Sequence, residues 1–445
     1  MKIVIIGGEA AGMSAAAKAR RVNPNADIIV YEASEVISFG ACGLPYYVAD
    51  EFQNHEYMSE FTPAQFAERG IQVNIGHRVT KVDADNKKLE ITHKDDVFVT
   101  HYDRLMIATG AKEVFPPVSG LDKDGVFTLR VMNDGIALKQ AVAQEHCKNV
   151  TIIGSGFIGL EVAEAMVHQG KNVRLIERAE RLIPDAFDPE ISIHFYDELK
   201  KAGVEILTSE SLLAIEGDAK VTHITTDKGT YSADLVVVCT GVKPNTAFLK
   251  ETGIETLPNG AIRIDRQGRT SLPDVWSAGD CATIWNAISN KDVYIPLATG
   301  ANKLGRMIGD NIAQTDGDAF EFPGSLGTSC VRVMGLEAGR TGLSEREAID
   351  AGFDVKTLVI KDKCHTNYCD GQSDLHMKLI YEAGTKRVLG AQIAGYKGAV
   401  HRIDAMAVAV TMGVTTTQLG MMDFAYAPPF SRTWDIMNVA GNVAK

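Results

Sequence analysis

Lys2-Ile3-Val4-Ile5-Ile6-Gly7-Gly8-Glu9-Ala10-Ala11-Gly12 decides how this chain begins to fold, and Asn149-Val150-Thr151-Ile152-Ile153-Gly154-Ser155-Gly156-Phe157-Ile158-Gly159 repeats the decision further on. Each is a short apolar run that ends in closely spaced glycines. After the first, the alanine-rich run Met13 to Arg21 reads as a helix, and Asp27 to Tyr31 reads as a strand that ends at Glu32. After the second, a helix is expected from about Leu160 to His168, then a strand over Val173 to Ile176 that ends at Glu177. Strand, glycine turn, helix, strand and acid in that order describe a dinucleotide-binding unit. Gly7 and Gly12 in one copy, and Gly154, Gly156 and Gly159 in the other, allow the tight turn and close helix packing. The helix N-terminus holds a pyrophosphate, and an acid about 20 residues on takes the ribose hydroxyls. Glu9 stands where the first turn would have its middle glycine, so its carboxylate is expected to point away from the phosphates. Glu177 repels a 2′-phosphate and favours NADH, while Arg178 beside it leaves NADPH open.

The chain has 445 residues and a net charge of -12, which argues against nucleic acid or an anionic membrane as partner and points to small molecules. No apolar run is long enough to span a bilayer, and the first glycine turn comes too soon for a signal-peptide core, so a cytoplasmic protein is expected. Cysteines 42, 147, 239, 281, 330, 364 and 369 make no CxxC pair and no zinc-like cluster. An odd count suits a reducing compartment, and no metal is expected.

Ile107-Ala108-Thr109-Gly110-Ala111 closes the first half, and Val275-Trp276-Ser277-Ala278-Gly279-Asp280 appears only after the second unit, as though one domain were interrupted by another. This arrangement resembles the flavoproteins with two dinucleotide-binding domains. By that resemblance the first unit binds FAD, with Asp280 on the ribitol, and the inserted unit binds NADH or NADPH. Thr109, Gly110 and Gly241, the last within Val238 to Asn245, would lie at the crossings between them. The expected organisation is an FAD-binding domain over 1–112 and 245–320, an NAD(P)H-binding domain over 113–244, and a third domain over 321–445. Strand-like runs (Gly327 to Met334, Asp354 to Ile360, Leu375 to Tyr381, Val388 to Ala394) and an apolar helix from about His401 to Met412 make that third domain α+β. The fold class is therefore α/β, two Rossmann-like dinucleotide-binding domains plus a C-terminal α+β domain. The helix is apolar nearly all round, so it belongs to a core or a subunit interface, and the resemblance implies a homodimer.

Cys42, in Ser38-Phe39-Gly40-Ala41-Cys42-Gly43-Leu44-Pro45-Tyr46, has no second cysteine nearby. A cysteine attacks as thiolate, so a reactive one needs a helix N-terminus, a cation or a charge-transfer partner to lower its pKa. The segment resembles the single-cysteine branch of the FAD-dependent pyridine nucleotide-disulfide oxidoreductases, the relatives of NADH oxidase and NADH peroxidase. Residue 47 is Tyr where the two-cysteine branch has its second thiol. Glu9-Ala10-Ala11-Gly12 replaces the Thr-His-Ala-Gly turn of the peroxidases, whereas Met13 to Arg21 and Cys42 to Tyr46 match the coenzyme A-disulfide reductases.

That resemblance implies a Cys42 that cycles a mixed disulfide with coenzyme A, which stays at the site as a bound thiol. Lys18 and Arg21, beside Arg20, would hold the phosphates of CoA, and Ser14 and Ser38 would line its channel. His365-Thr366-Asn367-Tyr368 and Phe424-Ala425-Tyr426-Ala427-Pro428-Pro429-Phe430 match segments whose tyrosines, Tyr368 and Tyr426, reach the cysteine from the other subunit, so the active sites are shared in the homodimer. Cys369 and Phe430 depart from the family pattern, and Cys364 and Cys369 flank Tyr368 as possible further thiols. The neighbouring readings are a CoA persulfide or polysulfide reductase and an NADH oxidase that works through a cysteine sulfenic acid.

Overall fold

A computed structural model describes residues 1–315 and 317–444. The first glycine turn joins two strands of a parallel sheet, whose order is Val275–Ser277, Arg104–Ile107, Lys2–Ile6, Asp27–Tyr31, Ile71–Asn74. The strand that carries Ala278-Gly279-Asp280 at its end thus pairs beside the one that ends at Thr109, although the whole second unit separates them in sequence. That unit builds its own parallel sheet, in the order Glu205–Thr208, Asn172–Glu177, Asn149–Ile153, Leu235–Val238, Val126–Phe127. The two crossings between the sheets run side by side, Ala111–Glu113 antiparallel to Val242–Pro244.

The helix Ala10–Val22 is alanine-rich because another helix lies hard against it. Gly305 and Gly309 of Ala298–Ala313 face it so closely that a Cβ on either would stand 2.4 Å from the carbonyl oxygen of Ala11 or Ala15. Ala11, Ala15 and Ala19 are buried in that contact. Small residues on both sides bring the backbones together and seat the first helix rigidly under its glycine turn.

The third portion is a five-stranded antiparallel sheet, in the order Ser329–Val333, Leu336–Gly342, Val388–Gly395, Asp374–Glu382, Val355–Lys363. The expected strands are present with shifted ends, and the expected helix runs over Ala399–Thr411. The strand Leu336–Gly342 and the helix Glu345–Ala351 were not anticipated. Six of the seven residues of Leu336–Gly342 are buried, so a strand covered on both faces shows no alternation to read. Its entry is a hairpin at Met334 and Gly335, both with positive φ. In the helix Ala399–Thr411, Ile403, Met406 and Val410 enter the core while Val408 stays 65% exposed. The other exposed positions of the helix are His401, Asp404 and Thr411, so its outer face is mixed and not apolar all round.

Candidate active site

Two nucleotide cradles form the framework. Gly7, at φ +110, crosses Ala108 so closely that a Cβ would lie 2.1 Å from its carbonyl oxygen, and a Cβ on Gly12 would lie 1.9 Å from the oxygen of Gly7. No side chain larger than hydrogen fits either place. Glu32 closes the cradle: one carboxylate oxygen accepts from the Gly8 amide at 2.7 Å and the other from the Ser34 amide at 2.7 Å. The second unit repeats this. A Cβ on Gly159 would stand 2.1 Å from Gly154 O, while Glu177 accepts from the Ser155 amide at 2.9 Å, the Ser155 hydroxyl at 2.7 Å and the Ala179 amide at 2.8 Å. Gly156 has nothing within 4 Å of where its Cβ would be, an open face that a phosphate can approach. Arg178 is exposed and enters no ion pair among the described residues.

The groups expected at the crossings converge. The Thr109 hydroxyl donates to Asn245 O at 2.8 Å, and the amides of Asn245 and Val114 donate to Gly110 O and Gly241 O at 2.9 Å each. Asp280 lies next to Arg130, 3.5 Å from Oδ2 to Nη2, and the Tyr294 hydroxyl donates to its carbonyl at 3.0 Å. Burial pushes the Asp280 carboxyl up, with Arg130 acting against it. Glu9 is the N-cap residue of the helix Ala10–Val22. It stands in the field of Arg130, Glu32 and Asp280, and burial raises its pKa to about 7. A carboxyl that is half protonated near neutrality can meet a phosphate as a hydrogen-bond donor instead of a repelling anion. The donors, acids and glycine cradles suit a dinucleotide in each unit, and FAD with its ribitol in the first.

Cys42 sits in the single turn Ala41–Gly43, which runs into the helix Leu44–Val48. Its thiol is open to solvent, as catalysis needs. The surrounding protein nevertheless raises its pKa, first by burial and then through the negative charges of Glu161 and Asp280, with Arg130 opposing. Glu161 accepts a hydrogen bond from the Tyr46 hydroxyl at 3.1 Å, and burial lifts its pKa to about 7. Arg130 and Glu161 went unread in the sequence and Tyr46 was read only as part of the Cys42 to Tyr46 match, although Glu161, a carboxylate two residues past Gly159 in an apolar helix, carried a visible signal.

The residues expected to bind CoA are only partly free. Lys18 is paired with Asp310 of the packed helix at 2.5 Å, and Ser14 donates to Asn302 at 2.8 Å. Arg20 is occupied by the carbonyls of Pro24 and Gly70. Arg21 is exposed and enters no ion pair among the described residues, so it is the available cation of the three. Ser38 takes a positive φ of 49, its amide bound to Gly8 O at 2.9 Å, which places it between the first glycine turn and Cys42. Tyr368 and Tyr426 lie together, hydroxyl to hydroxyl 3.4 Å, and neither is hydrogen-bonded to Cys42 of its own chain. Tyr368 is 71% exposed, beside other open apolar side chains such as Phe430 at 75%. Cys364 is packed in the core and accepts from the Ser373 amide at 3.2 Å, so it is not a thiol of this surface, whereas Cys369 borders Tyr426.

Among the described residues no group of three or more His, Cys, Asp or Glu could hold a metal ion, and no helix is long and apolar enough to cross a membrane. Two dinucleotide cradles, with the exposed Cys42 beside the first, define a flavin- and pyridine-nucleotide-dependent oxidoreductase. The chain belongs to the pyridine nucleotide-disulphide oxidoreductase family: the family's nucleotide-binding model matches residues 1–305 and its dimerisation-domain model residues 328–437. It is 39% identical over 445 residues to an NAD(P)H sulfur oxidoreductase (CoA-dependent) of Pyrococcus furiosus, covering 100% of this chain and 99% of the relative. It is 29% identical over 448 residues to a coenzyme A disulfide reductase of Staphylococcus aureus, with 100% of both covered. The solved NAD-dependent persulfide reductase from A. fulgidus superimposes with a TM-score of 0.96 at 34% identity, over 100% of this chain and 83% of that one.

Proposed function

We propose that the chain is an FAD-dependent NAD(P)H oxidoreductase that reduces the sulfur–sulfur bond of coenzyme A disulfide through Cys42, in a homodimer with shared active sites. The observation that carries this reading is the exposed, unpaired thiol of Cys42 beside the cleft of the first cradle. The similarity to coenzyme A disulfide reductase along the full chain supports it. The similarity to CoA-dependent sulfur and persulfide reductases favours a second acceptor for the same thiol, the terminal sulfur of a CoA persulfide.

Gly7, Gly12, Glu32 and Asp280 would hold FAD, and Gly154, Gly156, Gly159 and Glu177 the pyridine nucleotide. When bound, FAD carries electrons from NAD(P)H to the sulfur of Cys42. Cys42 attacks the disulfide, releases one CoA thiol and holds the other as Cys42-S-S-CoA. Arg21 would bind the CoA phosphates, with Ser14 and Ser38 along the channel and Lys18 contributing once Asp310 releases it. Tyr368 and Tyr426 of the partner subunit would meet the departing thiolate. The proposed domain limits are 1–112 with 245–320, 113–244, and 321–445, and the seven free cysteines suit a reducing, cytoplasmic setting.

The reading is tested by following NADH oxidation and free CoA with CoA disulfide, CoA persulfide and oxygen as separate acceptors. Two CoA thiols formed per NADH from the disulfide are expected. NADH consumption that depends on oxygen alone would contradict the reading.

A further inference from the structure

Three long polar side chains stand in one row across the third sheet. Arg340 of Leu336–Gly342 pairs in register with Gln392 of Val388–Gly395, which pairs on its other side with Lys378 of Asp374–Glu382. All three are buried. Polar side chains hold such places only where they find partners, and these meet theirs in the short stretch Ala186 to Glu190 of the second nucleotide unit and in the helix Glu345–Ala351. Arg340 donates to the Ala186 carbonyl at 2.8 Å and pairs with Glu347. The Gln392 side chain accepts from the Asp188 amide at 2.8 Å and donates to the Asp188 carboxylate at 2.9 Å. Lys378 Nζ lies 3.3 Å from Asp188, 2.9 Å from Glu190 and 2.5 Å from Glu345.

The stretch they grip ends the segment that follows Glu177, the acid of the second cradle. Midway along it, the Ile183 amide donates to the hydroxyl and carbonyl oxygens of Ser155 at 3.1 Å each, and the same hydroxyl donates to Glu177 at 2.7 Å. The amides of Ala186 and Phe187 return to the Ile183 carbonyl at 3.2 and 3.3 Å. A continuous run of contacts thus joins the row in the third sheet to the ribose acid. Ile183 takes a φ of +44, which a β-branched residue keeps only when its surroundings hold it there. We propose that Arg340, Gln392 and Lys378 are positioning residues for the pyridine nucleotide: from another domain they hold residues 178–188 against Ser155 and Glu177, and so set the shape of the adenosine half of the NAD(P)H site. This rests on the second unit being that site. Apolar side chains of similar size would dock the two surfaces at least as firmly, because a buried ion pair adds little to stability. What directed hydrogen bonds add is a fixed place for the segment they hold. The contacts end at the ribose acid, so nucleotide binding depends on them and hydride transfer does not.

The test is rapid mixing of NADH with the FAD-loaded enzyme, with flavin bleaching followed against NADH concentration. Gln392→Met and Lys378→Met are each expected to need about five- to tenfold more NADH for the half-maximal rate, while the limiting rate stays within about twofold of wild type. ADP-ribose, which carries the adenosine and pyrophosphate without the nicotinamide, should weaken by the same factor as an inhibitor competing with NADH. A row that only staples two domains together would lower the melting temperature and leave both concentrations where they were. Unchanged NADH saturation in either folded, FAD-loaded variant overturns the proposal, and so does a loss confined to the limiting rate. ADP-ribose inhibition that stays at the wild-type level while NADH saturation shifts overturns it as well. Should Lys378→Met fail to fold because three carboxylates lose their cation, Gln392→Met still decides, since it is neutral and keeps the length of the side chain. No disulfide takes part, so the result stands apart from the acceptor assigned to Cys42, which fails separately if CoA disulfide is not turned over.

Discussion

Cys42→Ser is expected to lower CoA-disulfide reduction by about a thousandfold or more, while the protein stays yellow and NADH still bleaches its flavin absorbance. Serine keeps the size of the side chain but forms no S–S bond, and Cys42 makes no contact that the fold depends on: its thiol is open to solvent, and Phe39 and Leu44 around it enter the core instead. Neither Gly7 nor Gly12 has Cys42 among the atoms packed closest to it, so the cradle is expected to keep its shape. Loss of FAD in this variant would mean that the Cys42 turn supports the cofactor site, and retained turnover would move the chemistry to another thiol.

The second large effect concerns Tyr368 and Tyr426. Their hydroxyls meet at 3.4 Å, and the bond with Tyr368 pushes the Tyr426 phenol above its ordinary pKa, so Tyr426 remains a neutral donor at working pH. A neutral phenol stabilises a departing thiolate by hydrogen bonding. Replacing both by Phe is expected to slow CoA release about a hundredfold and leave flavin reduction by NADH near normal. Mixing that variant with Cys42→Ser subunits gives hybrid dimers with one site built from intact Cys42 and intact tyrosines, so activity should return on subunit exchange. Verified hybrids that stay inactive would place the tyrosines outside the partner's site and leave the third domain as a dimerisation platform.

The parts of this structure that were legible in the sequence are those whose physics is local. A glycine turn between an apolar strand and a helix, with an acid at the next strand end, is written within about 30 residues, so both cradles and Glu32 and Glu177 were readable. Relations between distant segments were not. The solvated or ligand-binding face inferred for Lys18 missed Asp310, because a helix face shows nothing of the helix packed on it. The Tyr46 and Glu161 pair joins two stretches that no spacing rule connects. Leu336–Gly342 escaped notice because burial on both faces removes the alternation by which strands are recognised. The charge of Glu9 was unreadable for a related reason: it depends on burial that only the folded chain creates.

The central claim is that Cys42 carries CoA as a mixed disulfide during turnover. Its most direct test is the mass of the Cys42 peptide after the NADH-reduced enzyme is mixed with CoA disulfide and quenched with acid. The account predicts that this peptide gains the mass of one CoA, and that reductant removes it. A peptide that stays unmodified while the disulfide is consumed, or CoA found on a different cysteine, would contradict it.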